Sequence, residues 1–218
     1  CENHRWDLVV TLGGDGTLLW SSHMVGPDTP MVAVNSAPGS SVGYFCAGDR
    51  NSLRETLSMA LTGALKATRL ARMEVALDGE VVSTRVLNDI LFSHTCPAAT
   101  SRYIIELGEA REEQLSSGIW AGPAAGSTAA QRSAGGRVLP PGSQKLQFVV
   151  REPYFGLREG YSLTKGLVSP GEVLRVRSKM REGRIFMDGA QKMLDVDIGT
   201  EIRLRTSDEP LTLLGLRR

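Results

Sequence analysis

Cysteine and histidine are scarce in this chain. Cys1, Cys46 and Cys96 are odd in number and far apart, and His4, His23 and His94 are equally scattered. Neither set has the spacing of a zinc site or a disulfide framework. Reduced thiols, an intracellular setting (cytoplasmic or organellar) and no structural metal are therefore expected. A surplus of one charge is also missing: 25 Lys and Arg oppose 24 Asp and Glu, and no basic run marks a nucleic-acid footprint. No apolar stretch approaches the ~20 residues that span a bilayer. The opening CENHRWDLVV lacks the charged-then-apolar design of a signal peptide, and the closing Gly215-Leu216-Arg217-Arg218 is not a peroxisomal address. Nucleic-acid and membrane partners are not expected. What remains, 218 residues with 41% hydrophobic content, suffices for one large domain or two small ones.

The richest stretch is VVTLGGDGTLL, Val9 to Leu19. Leu8, Val9, Val10 and Leu12 have the length and β-branched content of a buried strand. The run breaks at Gly13-Gly14-Asp15-Gly16, and Thr17, Leu18 and Leu19 open a helix expected to reach about Val25. Strand, glycine turn and helix start together place bare N–H groups at a positive helix end, which favours anions. The glycines leave no Cβ to hold a phosphate away. Asp15 is out of place there unless it accepts a proton or works through a cation, a combination that a kinase needs. The plainer reading is a turn in which Asp15 or Thr17 caps the helix.

Along the chain, Gly26-Pro27-Asp28 reads as a turn and Met31 to Val34 as a second strand ending at Asn35, giving the β-turn-α-turn-β unit of a parallel sheet. The motif strand lies so close to the first residue that an upstream portion is expected to be missing, since a doubly wound sheet needs strands on both sides. Gly43-Tyr44-Phe45 either walls a flat ligand or fills the core. Asn51-Ser52 caps a helix running to about Leu61, with Leu53, Leu57, Ala60 and Leu61 on one face. From Arg69 onward, strand-length segments recur between Gly and Pro, from Met73-Val75-Leu77 to Leu211–Leu214. The expected fold is a partial doubly wound α/β domain over 1–67, followed by a β-rich, two-sheet domain over 68–218.

Two further constellations stand out. Asn88-Asp89 interrupts apolar flanks and reads either as a tight bend or as a clasp, Asn for a base or amide edge and Asp for ribose hydroxyls. Gly126-Ser127-Thr128-Ala129-Ala130, closing at Ser133-Ala134-Gly135-Gly136, reads as a short, capped, small-residue helix whose backbone is open to close approach. Gly39-Ser40-Ser41-Val42-Gly43 matches the nucleophile-elbow pattern, but Asn35 to Pro38 intervenes where a strand must lead directly into the turn.

Taken in order, GGDGT at Gly13–Thr17, the Asn-acid pair Asn88-Asp89, and GSTA followed by SAGG within Gly126–Gly136 make the chain resemble the NAD kinase family over nearly its whole length. GGDG alone also occurs in lipid kinases and phosphofructokinases. The segment SSG…AAGSTAA, with Arg151-Glu152-Pro153, is similar to the plant-type NADH kinase branch. The resemblance implies ATP-dependent phosphorylation of the adenosine-ribose 2′-hydroxyl of NAD⁺ or NADH, with Mg²⁺ brought by ATP, in a homodimer or larger assembly. It implies that Asp15 is the catalytic aspartate and that Gly13, Gly14, Gly16 and Thr17 form the phosphate loop. Leu19, Tyr44, Asn88, Asp89, Ser117, Ser127, Thr128, Ala129, Ser133 and Asp188 fall on dinucleotide-binding positions. Ser117 stands where the family has Asp, and Ala130 where it has Tyr. Losing that carboxylate near the nicotinamide end shifts the expected preference toward NADH. A lipid kinase and a non-catalytic NAD(H)-binding homologue are the alternatives.

Overall fold

The computed structural model describes residues 6–156 and 160–216. Expectations resting on Cys1, His4 and Arg217-Arg218 lie outside the described residues. The chain divides into two compact units, Cys1–Leu70 with Glu209–Arg218, and Ala71–Asp208. The expected division at Thr68 is corrected at the C-terminus: residues 209–218 return to the first unit, because the strand there completes its sheet.

The first unit runs β1 (Val9–Gly13), α1 (Asp15–Ser22), β2 (Met31–Asn35), β3 (Gly48–Asp49), α2 (Leu53–Leu61) and β4 (Ala67–Leu70). β2 is buried at every position and is the middle of the sheet. It pairs in parallel with β1, with β3 and with the returning strand Leu211–Leu214, which is antiparallel to β4. The register sets Gly13 beside Asn35, so the loops leaving β1 and β2 start side by side. That carboxyl edge is where open α/β sheets present their ligand loops. The first helix is shifted toward the N-terminus and ends at Ser22 rather than Val25, whereas the second ends at Leu61 as expected. α1 begins at Asp15 rather than Thr17, and α2 buries Thr56 and Ala60 while Leu61 stays 78% exposed.

The second unit continues β5 (Met73–Leu77), β6 (Glu80–Val86), β7 (Ile90–His94), β8 (Ser101–Leu107), β9 (Ala110–Ser116) and β10 (Ile119–Gly122). A 3₁₀ turn (Ala124–Thr128) and α3 (Ala130–Ser133) follow, then β11 (Leu146–Val150), β12 (Lys165–Val168) and β13 (Leu174–Ser178). β14 (Gly183–Met187), β15 (Lys192–Val196) and β16 (Glu201–Thr206) complete it, and β17 (Leu211–Leu214) is the strand that rejoins the first unit. Two sheets, ordered β12-β11-β10-β7-β14-β15 and β6-β5-β16-β13-β8-β9, share one core. Phe92, Phe148 and Ile185 come from one sheet, Tyr103, Val176 and Leu204 from the other. Each such large apolar side chain contributes about 1.5–3 kcal/mol on burial, which is why two faces with alternating pattern close into a sandwich. The architecture is an α/β domain with a β-sandwich. Among the described residues no helix is long and apolar enough to cross a membrane.

Candidate active site

Two clusters gather the sequence-selected residues, one in each unit. In the first, Gly14 is the N-cap of α1 with no side-chain cap, and Asp15 is the first helical residue. The cap expected of Asp15 or Thr17 is not formed. Asp15 turns instead to the loop after β2: its Oδ2 accepts the Tyr44 N–H and its Oδ1 the Phe45 N–H, both at 2.9 Å. Each oxygen keeps lone-pair capacity for a further donor. Close approach explains two of the glycines. A Cβ on Gly13 would overlap the Thr17 side chain, and one on Gly14 would overlap Ser41 Oγ, whereas a Cβ on Gly16 meets nothing within 4 Å. Gly16 and the exposed Thr17 therefore leave the start of α1 open, with the Thr17 amide already bonded to the Gly14 carbonyl at 3.0 Å. Leu19 is half-buried beside the core residue Leu18. Phe45 is core and meets the half-buried Tyr44 edge to face at 5.1 Å. Burial, and secondarily the Asp15 charge, push the Cys46 thiol up to about 11, so it is not a nucleophile at neutral pH.

The second cluster is the bend between β6 and β7. Asn88 Nδ2 donates to Asp89 Oδ2 at 2.9 Å, and the Asp188 carboxylate accepts the Leu87, Asn88 and Asp89 amides at 2.9, 2.6 and 3.1 Å. The small-residue stretch is not one capped helix. It breaks at Ala129 into the 3₁₀ turn and the single turn of α3, and Ser127, fully buried, bonds the Ala124 carbonyl and the Leu139 amide instead of capping. The open backbone at Gly126 admits the chain's own Asn88 carbonyl, which a Cβ there would overlap. Thr128 is half-buried and Ala129 exposed, following the Gly126 backbone that packs on Asn88.

Burial, and then the negative charge of Asp188, push the Asp89 carboxyl up to about 7 from an ordinary 3.8. The unfolded chain releases this proton first, so stability is fully present below the ordinary carboxylate range and is lost as pH rises through about 7. Asp89→Asn is accordingly expected to be more stable than the parent at alkaline pH, by on the order of 2 kcal/mol, with the gain vanishing in acid. Thermal melts of both proteins across pH check this. A constant or reversed difference would remove the assignment.

Ser117 and Ser133 each line a cavity. Ser117 lies at the far end of β10 from Gly122, roughly 16 Å away at strand rise. It lines a cavity of about 210 Å³ with His94, Cys96, Arg151 and Glu152. Exposed Ser133 lines a second cavity with Trp120, Ala130, Arg151 and Glu152. Arg151 sits over Trp120 at 5.8 Å and walls both.

Three residues that the sequence reading did not select shape these clusters. Asn35 holds the loop after β2, accepting the Ala37 amide and donating to the Ser41 carbonyl. Buried Gln147 donates to Gln131 Oε1, and Gln131 Nε2 donates to the Asn88 carbonyl at 3.4 Å. Only a polar residue within an apolar strand pattern, as at Gln147 in LQFVV, signals such a network.

No family model matches the chain. It is 35% identical, over 95% of its length and 70% of the relative's, to a probable NADH kinase of Oryza sativa subsp. japonica. It is 34% identical to an NADH kinase of Arabidopsis thaliana, over 94% of this chain and 71% of that one. Among solved structures, yeast NADH kinase complexed with NADH matches with a TM-score of 0.83 at 22% identity, covering 96% of this chain. The present chain spans 62% of that protein's length. An NAD kinase from Archaeoglobus fulgidus in complex with ATP matches with a TM-score of 0.78 at 22% identity, over 97% of this chain and 79% of that one. At these identities the structural likeness speaks for the fold.

Proposed function

This chain belongs to the NAD kinase family, and from that premise we propose that it transfers the γ-phosphoryl group of ATP to the adenosine-ribose 2′-hydroxyl of NADH, with NAD⁺ the poorer acceptor. The observation that carries the reading is Asp15, a carboxylate held at the first helical position beside the open Gly16. Mg²⁺ arrives as part of the substrate, on the triphosphate oxygens, as this ion's reluctance to shed water favours. The amides of the glycine loop donate to phosphate oxygens, and the half-exposed edge of Asn88 with Asp89 holds base and ribose. Asp15 accepts the hydroxyl proton as the ribose oxygen bonds to the γ-phosphorus. The bond from that phosphorus to the β-bridging oxygen breaks, ADP leaves, and Asp15 returns its proton to water. A homo-oligomer is the assembly this family membership supports.

The preference for NADH rests on charge. Ser117 supplies no carboxylate to its cavity, which the Arg151 guanidinium and the Glu152 carboxylate wall together. A cationic nicotinamide therefore gains less there than beside the additional aspartate that the family carries at this position. The test is purified protein with ATP-Mg²⁺ and each dinucleotide, with product read by an NADP-specific dehydrogenase. NADPH formation from NADH is expected, and Ser117→Asp is expected to raise the NAD⁺-to-NADH ratio of kcat/KM about fivefold, equivalent to about 1 kcal/mol. Binding of NADH without product would leave a non-catalytic homologue.

A further inference from the structure

We infer that Asp188 is a positioning residue that holds the Asn88-Asp89 bend in its ligand-ready shape and sets the charge with which Asp89 meets a ribose hydroxyl, an inference that rests on the dinucleotide reading above. The geometry leaves its carboxylate little freedom to touch a ligand. Oδ2 accepts one amide and Oδ1 two, from three successive residues, a concave array of N–H groups suited to an anion. The Asp188 amide closes the ring by donating to the Asp89 carbonyl at 2.9 Å. Topology puts it there: β14 pairs with β7 with Met187 opposite Ile90, so the residue after β14 falls opposite the bend. Asp188 occupies the left-handed region at φ 51°, a conformation that Asp tolerates better than most residues. The family resemblance makes Asp188 a dinucleotide contact; the hydrogen bonds make it the clamp behind one.

The charged neighbours of this clamp are few. Asp89 is one, and its carboxyl is raised by burial and then by Asp188. From β15, the Lys192 ammonium is weakened by burial, supported by Asp188 and opposed by Arg85 of β6. Buried Asp89 and half-buried Asp188 thus act on each other, and the Lys192 ammonium also donates to Ser83 Oγ at 3.1 Å. An ionised Asp89 accepts from ribose hydroxyls, whereas a protonated one has an acceptor fewer. NADH affinity is therefore full above about 7 and falls as pH drops through that value. Asp188→Asn keeps the size but removes the charge, and its amide group, turned toward backbone donors, gives up part of the grip on the bend.

The experiment is calorimetric titration of the whole chain with NADH over a pH series, for the parent, Asp188→Asn and Asp89→Asn. The expected result for Asp188→Asn is about tenfold weaker binding at neutral pH and a pH midpoint moved about one unit toward acid. Asp89→Asn is expected to show no pH step at all. A clamp that was merely structural would weaken binding without moving the midpoint, so an unmoved midpoint or parental affinity in Asp188→Asn overturns the inference. If that variant does not fold, Asp89→Asn decides, because a surviving pH step there removes Asp89 as the group that Asp188 tunes. Failure of the kinase reading looks different: the parent binds or ignores NADH but makes no NADPH.

Discussion

Asp15→Asn is expected to lower kcat at least a hundredfold, while NADH affinity stays within a few-fold of the parent. The substitution is nearly isosteric, yet it removes three things at once. It takes away the proton acceptor, and general-base assistance contributes about 10²–10⁴ in rate. It takes away a first-turn negative charge that the helix end stabilises by about 0.3–1 kcal/mol. It also leaves either the Tyr44 or the Phe45 amide facing a donor, because Asn offers one oxygen where Asp offers two. The bend of Asn88 and Asp89 proposed to hold the dinucleotide lies in the other unit and is built from that unit's own bonds, hence the small change expected in affinity. An independent readout confirms that the charge has gone. Cys46 is held high mainly by burial and partly by Asp15, so its thiol becomes more reactive in the variant at alkaline pH. A variant with near-parental turnover would remove Asp15 from the chemistry.

The second large effect concerns the backbone. Gly126→Ala is expected to destabilise the protein by about 3 kcal/mol or more and to abolish measurable NADH binding. The added Cβ would meet the Asn88 carbonyl oxygen and carbon, and its distance to Asn88 Cα would be 2.9 Å. None of these is a flexible side-chain end that can step aside. The bend must move, and it is held by Asp188 from one side and by Gln131 from another. A drop of about 10 °C in melting temperature corresponds to that cost in a chain of this size. Gly16→Ala is the control, since its Cβ meets nothing and the melting temperature should stay near the parent's. If Gly126→Ala melts and binds like the parent, close packing of the turn on the bend is not what the glycine is for.

The difference between these two glycines was not legible from their motifs. Both sit in small-residue stretches that read as phosphate or ligand loops, and one faces open space while the other admits the chain's own carbonyl. Asp188 is a similar case: the sequence offers a lone Asp-Gly after a strand, and the carboxylate's use depends on a bend far away in sequence. The strands that periodicity missed include β9, β12 and β15, and each is a sheet edge. The charged AREEQLS and the short KGLV are what an edge strand needs to avoid pairing with another chain, and they erase the alternation that marks an interior strand.

Local chemistry was enough for the order of strand, glycine turn and helix at Gly13–Thr17, for the α/β front and the strand-dense remainder, and for the three stretches that mark a kinase of dinucleotides. Those features depend on neighbours a few residues apart, where side-chain period, glycine and capping residues act directly. Folding in three dimensions decided that Asp15 grips the amides of Tyr44 and Phe45, that Leu211–Leu214 rejoins the first sheet, and that Asp188 braces Asn88 and Asp89. Each of these pairs groups remote in the chain, and only a closed sheet or a packed turn brings a carboxylate to the amides that await it.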